Sequence, residues 1–178
     1  MTIFLDLAGS LVVRASMVTV MLGLTVTMNN ALFETTQQTN AASTVATVGE
    51  IIYTDLNQTV ASGFSSSDVD MMKFKADTSM GSGQYAWITY RMVLDGSTNL
   101  YQLYRDEGPS KTVVTSSVCI SKNLVSAKFE YADSDGATTN VPGDVDAIRV
   151  KLVAQVSGVT QGFSTTLNDF KVYPPNLN

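Results

Sequence analysis

The chain has 178 residues, 44% hydrophobic and 15% charged, with a formal net charge of −5. That length supports one domain with a real core, or one domain plus an appendage, and the negative charge excludes general affinity for nucleic-acid phosphates. With no histidine and a single cysteine, Cys119, the commonest general base, an internal disulfide and a cysteine metal cage are all excluded.

The N-terminal segment is the first element. Up to Phe33 the only charged side chains are Asp6 and Arg14, and residues 11–28 read LVVRASMVTVMLGLTVTM. As a helix, Ile3 to Leu32 spans roughly 45 Å, enough to cross a bilayer core. A secretory signal has a basic start, whereas Met1 to Leu5 is uncharged and the acid precedes the base. Arg14 near mid-membrane costs about 2.5–3.5 kcal/mol, so something other than lipid should solve the problem of its charge.

A polar passage, Glu34 to Thr44, leads into a second periodic stretch. Val45, Val48, Ile52, Leu56 and Val60 recur every three or four residues, which marks one helical face. Ser62-Gly63 and Ser65 to Ser67 supply a stop, so one helix is predicted to run to about residue 64. Its first half is apolar all round and its second half amphipathic.

From Asp68 the pattern has period two. Met72, Phe74 and Ala76 alternate with Lys73, Lys75 and Asp77. Further strands are predicted over residues 84–94, 100–105, 124–131, 147–156 and 163–173, with turns at Asp95-Gly96 and Asp133 to Gly136. Short connections predict an antiparallel meander with one buried face, covered by the amphipathic helix. The expected class is α+β. The predicted organisation is a hydrophobic helix over 1–33, its amphipathic continuation over 34–64, and a β-sheet head over 68–178.

This layout, with the stretches Val48 to Phe64, Leu103 to Asp106, Phe129 to Asp133 and Asp146 to Leu152, resembles type IV pilins and minor pseudopilins. The resemblance implies a structural, non-enzymatic subunit. Such a subunit inserts in the inner membrane, is handled by secretion or pilus machinery, and assembles with copies of itself into an extracellular filament on the cell surface. Members of the class carry glutamate at the fifth position of the processed chain. Here Leu5 stands at that place, with Asp6 beside it. If Met1 is the first residue of a processed chain, Asp6 does the glutamate's job one position late. If Met1 is the initiator, the chain reaches its assembly by another export route.

The assembly candidates are Met1, Asp6, Gly9, Arg14 and Gly23. Eight residues of helix amount to roughly 12 Å, so a neighbour displaced by that rise brings its Asp6 level with Arg14. A shorter shift brings Asp6 near a neighbour's Met1 amino group. Gly9 and Gly23 permit close helix approach. The alternative function is a membrane-anchored, single-copy binding or minor tip protein, with Asp6 at the interface and Arg14 snorkelling.

Two secondary candidates lie in the head. Asp133, Asp135, Asp144 and Asp146 are weak calcium candidates, because hard cations want several oxygen ligands and some pseudopilins hold calcium in such a loop; the same residues also serve as plain turns. Tyr85, Trp87, Tyr90, Tyr101 and Tyr104 form either a stripe for sugar or partner binding, or core packing. No cofactor is expected otherwise.

Overall fold

The computed structural model describes residues 2–77, 84–157 and 163–174. One helix, α1 (Thr2–Asn57), has 56 residues, about 84 Å of continuous rise. It contains no proline, and the hydroxyls of its many threonines fold back on the helix. Thr19, Thr25, Thr27, Thr35 and Thr39 each donate to the carbonyl four residues earlier, at 2.8–2.9 Å. The threonine-rich middle therefore stays helical.

Among the described residues seven strands follow: β1 (Thr59–Ser67), β2 (Met71–Asp77), β3 (Tyr85–Asp95), β4 (Leu100–Gly108), β5 (Ser116–Ala132), β6 (Ala147–Ser157) and β7 (Phe163–Val172). They form one antiparallel sheet in sequential order, the predicted meander. The stripe Val45, Val48, Ile52 and Leu56 is buried on the inner face of this sheet, chiefly over β6 and β7. Gly49 leaves room for two side chains of β7: a Cβ there would meet Asn168 Nδ2 at 2.7 Å and the Phe170 ring at 3.1 Å. Phe74, Tyr90, Leu103, Phe129, Ile148 and Leu152 complete the core from the strands.

Strand β4 runs three residues past its predicted end, to Gly108, and two larger differences from the sequence expectation concern the helix end and β5. The helix ends at Asn57 rather than near residue 64, and Val60 belongs to β1. Tertiary pairing captures this segment: Asp77 N donates to Gln58 O at 2.9 Å, and Thr59 pairs with Ala76. The other difference is β5, which starts at Ser116, eight residues before the predicted strand. Its Ser- and Lys-containing first half pairs with β4 and its apolar second half with β6. Between the halves the register shifts, and Asn123 takes φ +61°, a left-handed conformation that asparagine tolerates.

The stagger leaves one edge of β5's second half unpaired by β4, and the β1–β2 turn fills it. Phe129 N donates to Val69 O at 3.2 Å and Tyr131 Oη to Asp68 O at 3.0 Å. Phe64 lies edge-on to Tyr131, centroids 5.6 Å apart. The sheet is thereby curled around its own core.

Candidate functional site

The outstanding surface of this chain is the protruding half of α1. Every described side chain from Asp6 to Asn29 is exposed, and the large apolar ones from Leu7 to Leu32 are 55–67% exposed. Consecutive residues sit about 100° apart around a helix. Leu11-Val12-Val13 and Val20-Met21-Leu22 therefore present apolar groups on every side. A single partner helix covers only a stripe roughly 100° wide, so this stalk needs cover all round, from several helices or from lipid.

Four hydroxyls of the stalk are already satisfied within the helix. Ser16 donates to Val12 O, Thr19 to Ala15 O, Thr25 to Met21 O and Thr27 to Gly23 O, each at 2.9 Å. An unpaired hydroxyl moved out of water costs on the order of 1–3 kcal/mol, and these four donors avoid that cost before anything covers them. Between Leu7 and Met28 Arg14 remains the one charge.

Asp6 and Arg14 both lie on this exposed stalk and are not brought together within the chain. Their separation is roughly 12 Å along the helix and about 80° around it. Among the described residues neither has an ionic partner. Met1 lies outside the described residues. Gly9 and Gly23 serve nothing inside the subunit, since a Cβ at either would meet no atom within 4 Å. Alanine would favour the helix by about 1 kcal/mol at each. Any need for glycine must come from outside this chain.

The helix is fixed to the head by a charged cluster that the sequence reading passed over. Asp55 is 8% exposed and faces the inner side of the sheet. It accepts hydrogen bonds from Arg105 Nε at 2.7 Å, Arg105 Nη2 at 3.2 Å and the Tyr90 hydroxyl, while Arg105 Nη1 reaches Glu107 at 2.8 Å. Burial, then the Asp55 charge, pushes the Tyr90 phenol well above its ordinary value. Burial alone would lower the Arg105 guanidinium, but its bonds to Asp55 and Glu107 outweigh this and raise it. The signal was present: Asp55 follows Ile52 by three residues and so falls on the apolar stripe, where an unpaired acid is not tolerated.

The aromatic stripe divides between the two faces. Tyr90 is in the core and Tyr101 packs against it. Tyr85, Trp87 and Tyr104 are on the outer face, each beneath a cation: Lys75, Lys111 and Arg91, at 4.4, 4.9 and 4.6 Å from the ring centroids. The outer face farther along carries ion pairs. Arg149 reaches Asp169 through two 2.7 Å bonds, and Lys151 reaches Glu130 at 2.6 Å. It is a wet face.

The calcium candidates do not form a cation site. Asp133 Oδ1 is taken by its own turn, accepting from Asp135 N at 3.1 Å and Ala137 N at 2.8 Å. Asp144 and Asp146 lie at a separate 3-10 turn, Pro142–Asp144, and just beyond it. Among the described residues no three acidic, histidine or cysteine side chains converge in a way that could hold a metal.

Comparison with known protein families, and with curated proteins, finds no match. The shape, a long apolar N-terminal helix packed by its second half on an antiparallel sheet, is pilin-like in architecture.

Proposed function

We propose that this chain is the structural subunit of a pilus-like filament. Stalks bundle into a core, heads coat the outside, and no catalysis is involved. The observation that carries this reading is a stalk apolar on every side and fully exposed, with its Ser16, Thr19, Thr25 and Thr27 donors already satisfied. Each such side chain gains on the order of 1 kcal/mol when covered, at about 25 cal/mol per Å². Together they favour assembly strongly. Before assembly the same helix is long and apolar enough to sit in the inner membrane, from which secretion machinery would extract it to the cell surface.

Asp6 sets the register in this reading. A neighbour offset by roughly 12 Å places its Asp6 level with Arg14, and a shorter offset places it at a neighbour's Met1 amino group. In a dry core a charge needs such a partner. The close-approach positions Gly9 and Gly23 let backbones meet. The ionic outer face of the sheet then remains toward water.

Electron microscopy of the purified full chain, after removal of detergent, tests the reading. Uniform filaments containing this chain alone are expected. Dispersed particles that need detergent or lipid to stay soluble would instead make the chain a single-copy membrane-anchored head.

A further inference from the structure

The methionines of this chain divide by place. In the head Met72 is buried, Met92 packs against the core and Met71 is half-buried. Among the described residues the exposed methionines are Met17, Met21 and Met28, at 60, 55 and 64%, and all three stand on the stalk. At about 100° per residue they fall within roughly 40° of one another around the helix. Asp6 lies about 20° from Met17, on the same face. The face that carries the acid therefore also carries three thioethers, spread over about 17 Å of rise. Helix propensity does not separate methionine from leucine. The flexibility and chemistry of the sulfur do.

A thioether is apolar enough for a dry core and adapts to an irregular neighbour. Its sulfoxide is polar. A hydroperoxide converts one into the other: the sulfur lone pair attacks a peroxide oxygen, an S–O bond forms and the O–O bond breaks. The departing hydroxide takes the proton of the transferred oxygen and leaves as water, so sulfur loses two electrons and the peroxide gains them. The new oxygen is an acceptor, and a bundle of stalks has little to offer it. From Leu11 to Met28 the side-chain donors are Arg14 and the hydroxyls of Ser16, Thr19, Thr25 and Thr27. Those hydroxyls already donate to carbonyls of their own helix. The backbone N–H groups are held by helix bonds, and Arg14 is taken by Asp6 of a neighbour in the filament reading. A sulfoxide enclosed there lacks a donor, which opposes its burial.

We infer that the Met17–Met21–Met28 face makes assembly sensitive to oxidation: hydroperoxides convert the free subunit into a form that bundles poorly, while stalks already packed against other copies are shielded. This deepens the filament reading and rests on it. Enzymatic reduction of sulfoxide returns the thioether, so the block is reversible.

Hydrogen peroxide treatment of the full chain in detergent tests it, with peptide mass mapping to count the oxygen added at each methionine. After peroxide and detergent are removed, sedimentation across a concentration series reads assembly. Chains with sulfoxide at all three positions are expected to need at least a tenfold higher concentration to polymerise, since each adds one unpaired polar group. Methionine sulfoxide reductases acting on both epimers should bring that concentration back. The variant combining Met17→Leu, Met21→Leu and Met28→Leu nearly conserves volume and should assemble alike before and after treatment. Each single leucine variant should lose less than the parent, which keeps the test independent of whether the triple variant assembles. In ready-made parent filaments the three positions should oxidise more slowly than in the free subunit. Oxidised parent chains that polymerise at the untreated concentration, or an equal loss in the leucine variants, would overturn the inference and leave the filament reading standing. Failure of the untreated parent to form filaments would overturn both.

Discussion

Replacing Arg14 by leucine separates the two uses to which the stalk can be put. The guanidinium is exposed in the free subunit, but in a bundle of stalks it is enclosed, facing the Asp6 of a neighbour offset by roughly 12 Å. Arg14→Leu leaves that carboxylate buried without its partner, which costs about 3–5 kcal/mol per subunit. At 1.4 kcal/mol per tenfold, the critical concentration for assembly should rise by roughly two to three and a half decades. In a lone membrane anchor the same change removes about 2.5–3.5 kcal/mol of insertion cost and should improve behaviour, so the two accounts differ in sign. Sedimentation of polymer from free subunit, across a concentration series, reads the effect for Arg14→Leu, Asp6→Asn and the double variant. The double variant should recover most of the loss, because replacing both partners of a buried pair with neutral groups is nearly neutral. Arg14→Leu chains that polymerise as readily as the parent would refute the pairing.

Gly23→Ala should stabilise the isolated helix by about 1 kcal/mol yet weaken filaments, as read by circular dichroism and sedimentation on the same samples. Gly49→Val should do its damage inside the subunit, lowering head stability by about 1–3 kcal/mol in urea unfolding, because Asn168 and Phe170 occupy the space. Asp55→Ala strips the inner-face cluster of its acid and leaves Arg105 and Tyr90 without their shared partner. A loss of about 2–4 kcal/mol is expected by the same assay. Alkaline pH provides a further check. Tyr90 and Tyr131 are both held neutral, chiefly by burial, with their phenols raised above the ordinary value near 10. Below pH 10 that contribution is fully present. Above it the unfolded chain releases protons that the fold retains, so stability should fall by about 1.4 kcal/mol per pH unit for each tyrosine. Tyr90→Phe should roughly halve the slope, and an unchanged slope would contradict the buried geometry.

What the sequence disclosed depended on how local the deciding interaction was. Alternation over Met71–Asp77 and Ala147–Val156 was visible because each strand has one buried face and one wet one. The stripe from Val45 to Leu56 was visible for the same reason at helical spacing. The end of the helix was not, since residues 58–64 are drawn into β1 by pairing with β2, a partner ten or more residues away. The first half of β5 was hidden too. Its outward Ser116, Ser117 and Val118 carry no clean alternation, and its strand state comes from the register with β4. Asp6, Arg14, Gly9 and Gly23 were legible as anomalies in an apolar helix, but among the described residues of one chain Asp6 and Arg14 meet no ionic partner and Gly9 and Gly23 face open space. The Asp55–Tyr90–Arg105 cluster joins residues 35 and 50 positions apart, which spacing arguments do not reach. The aspartate loops were weak calcium candidates in sequence, and Asp133 is consumed by its own turn.

The central claim is that the stalks are covered by one another. Its most direct test is a helical reconstruction of detergent-free material prepared from the full chain alone. The account expects filaments with a core of α-helices, Leu11 to Met28 enclosed by neighbouring stalks, an acid from one stalk level with Arg14 of another, and heads on the outside. Particles whose stalks are wrapped in lipid or detergent, or filaments held by heads alone with solvent-exposed stalks, would contradict it.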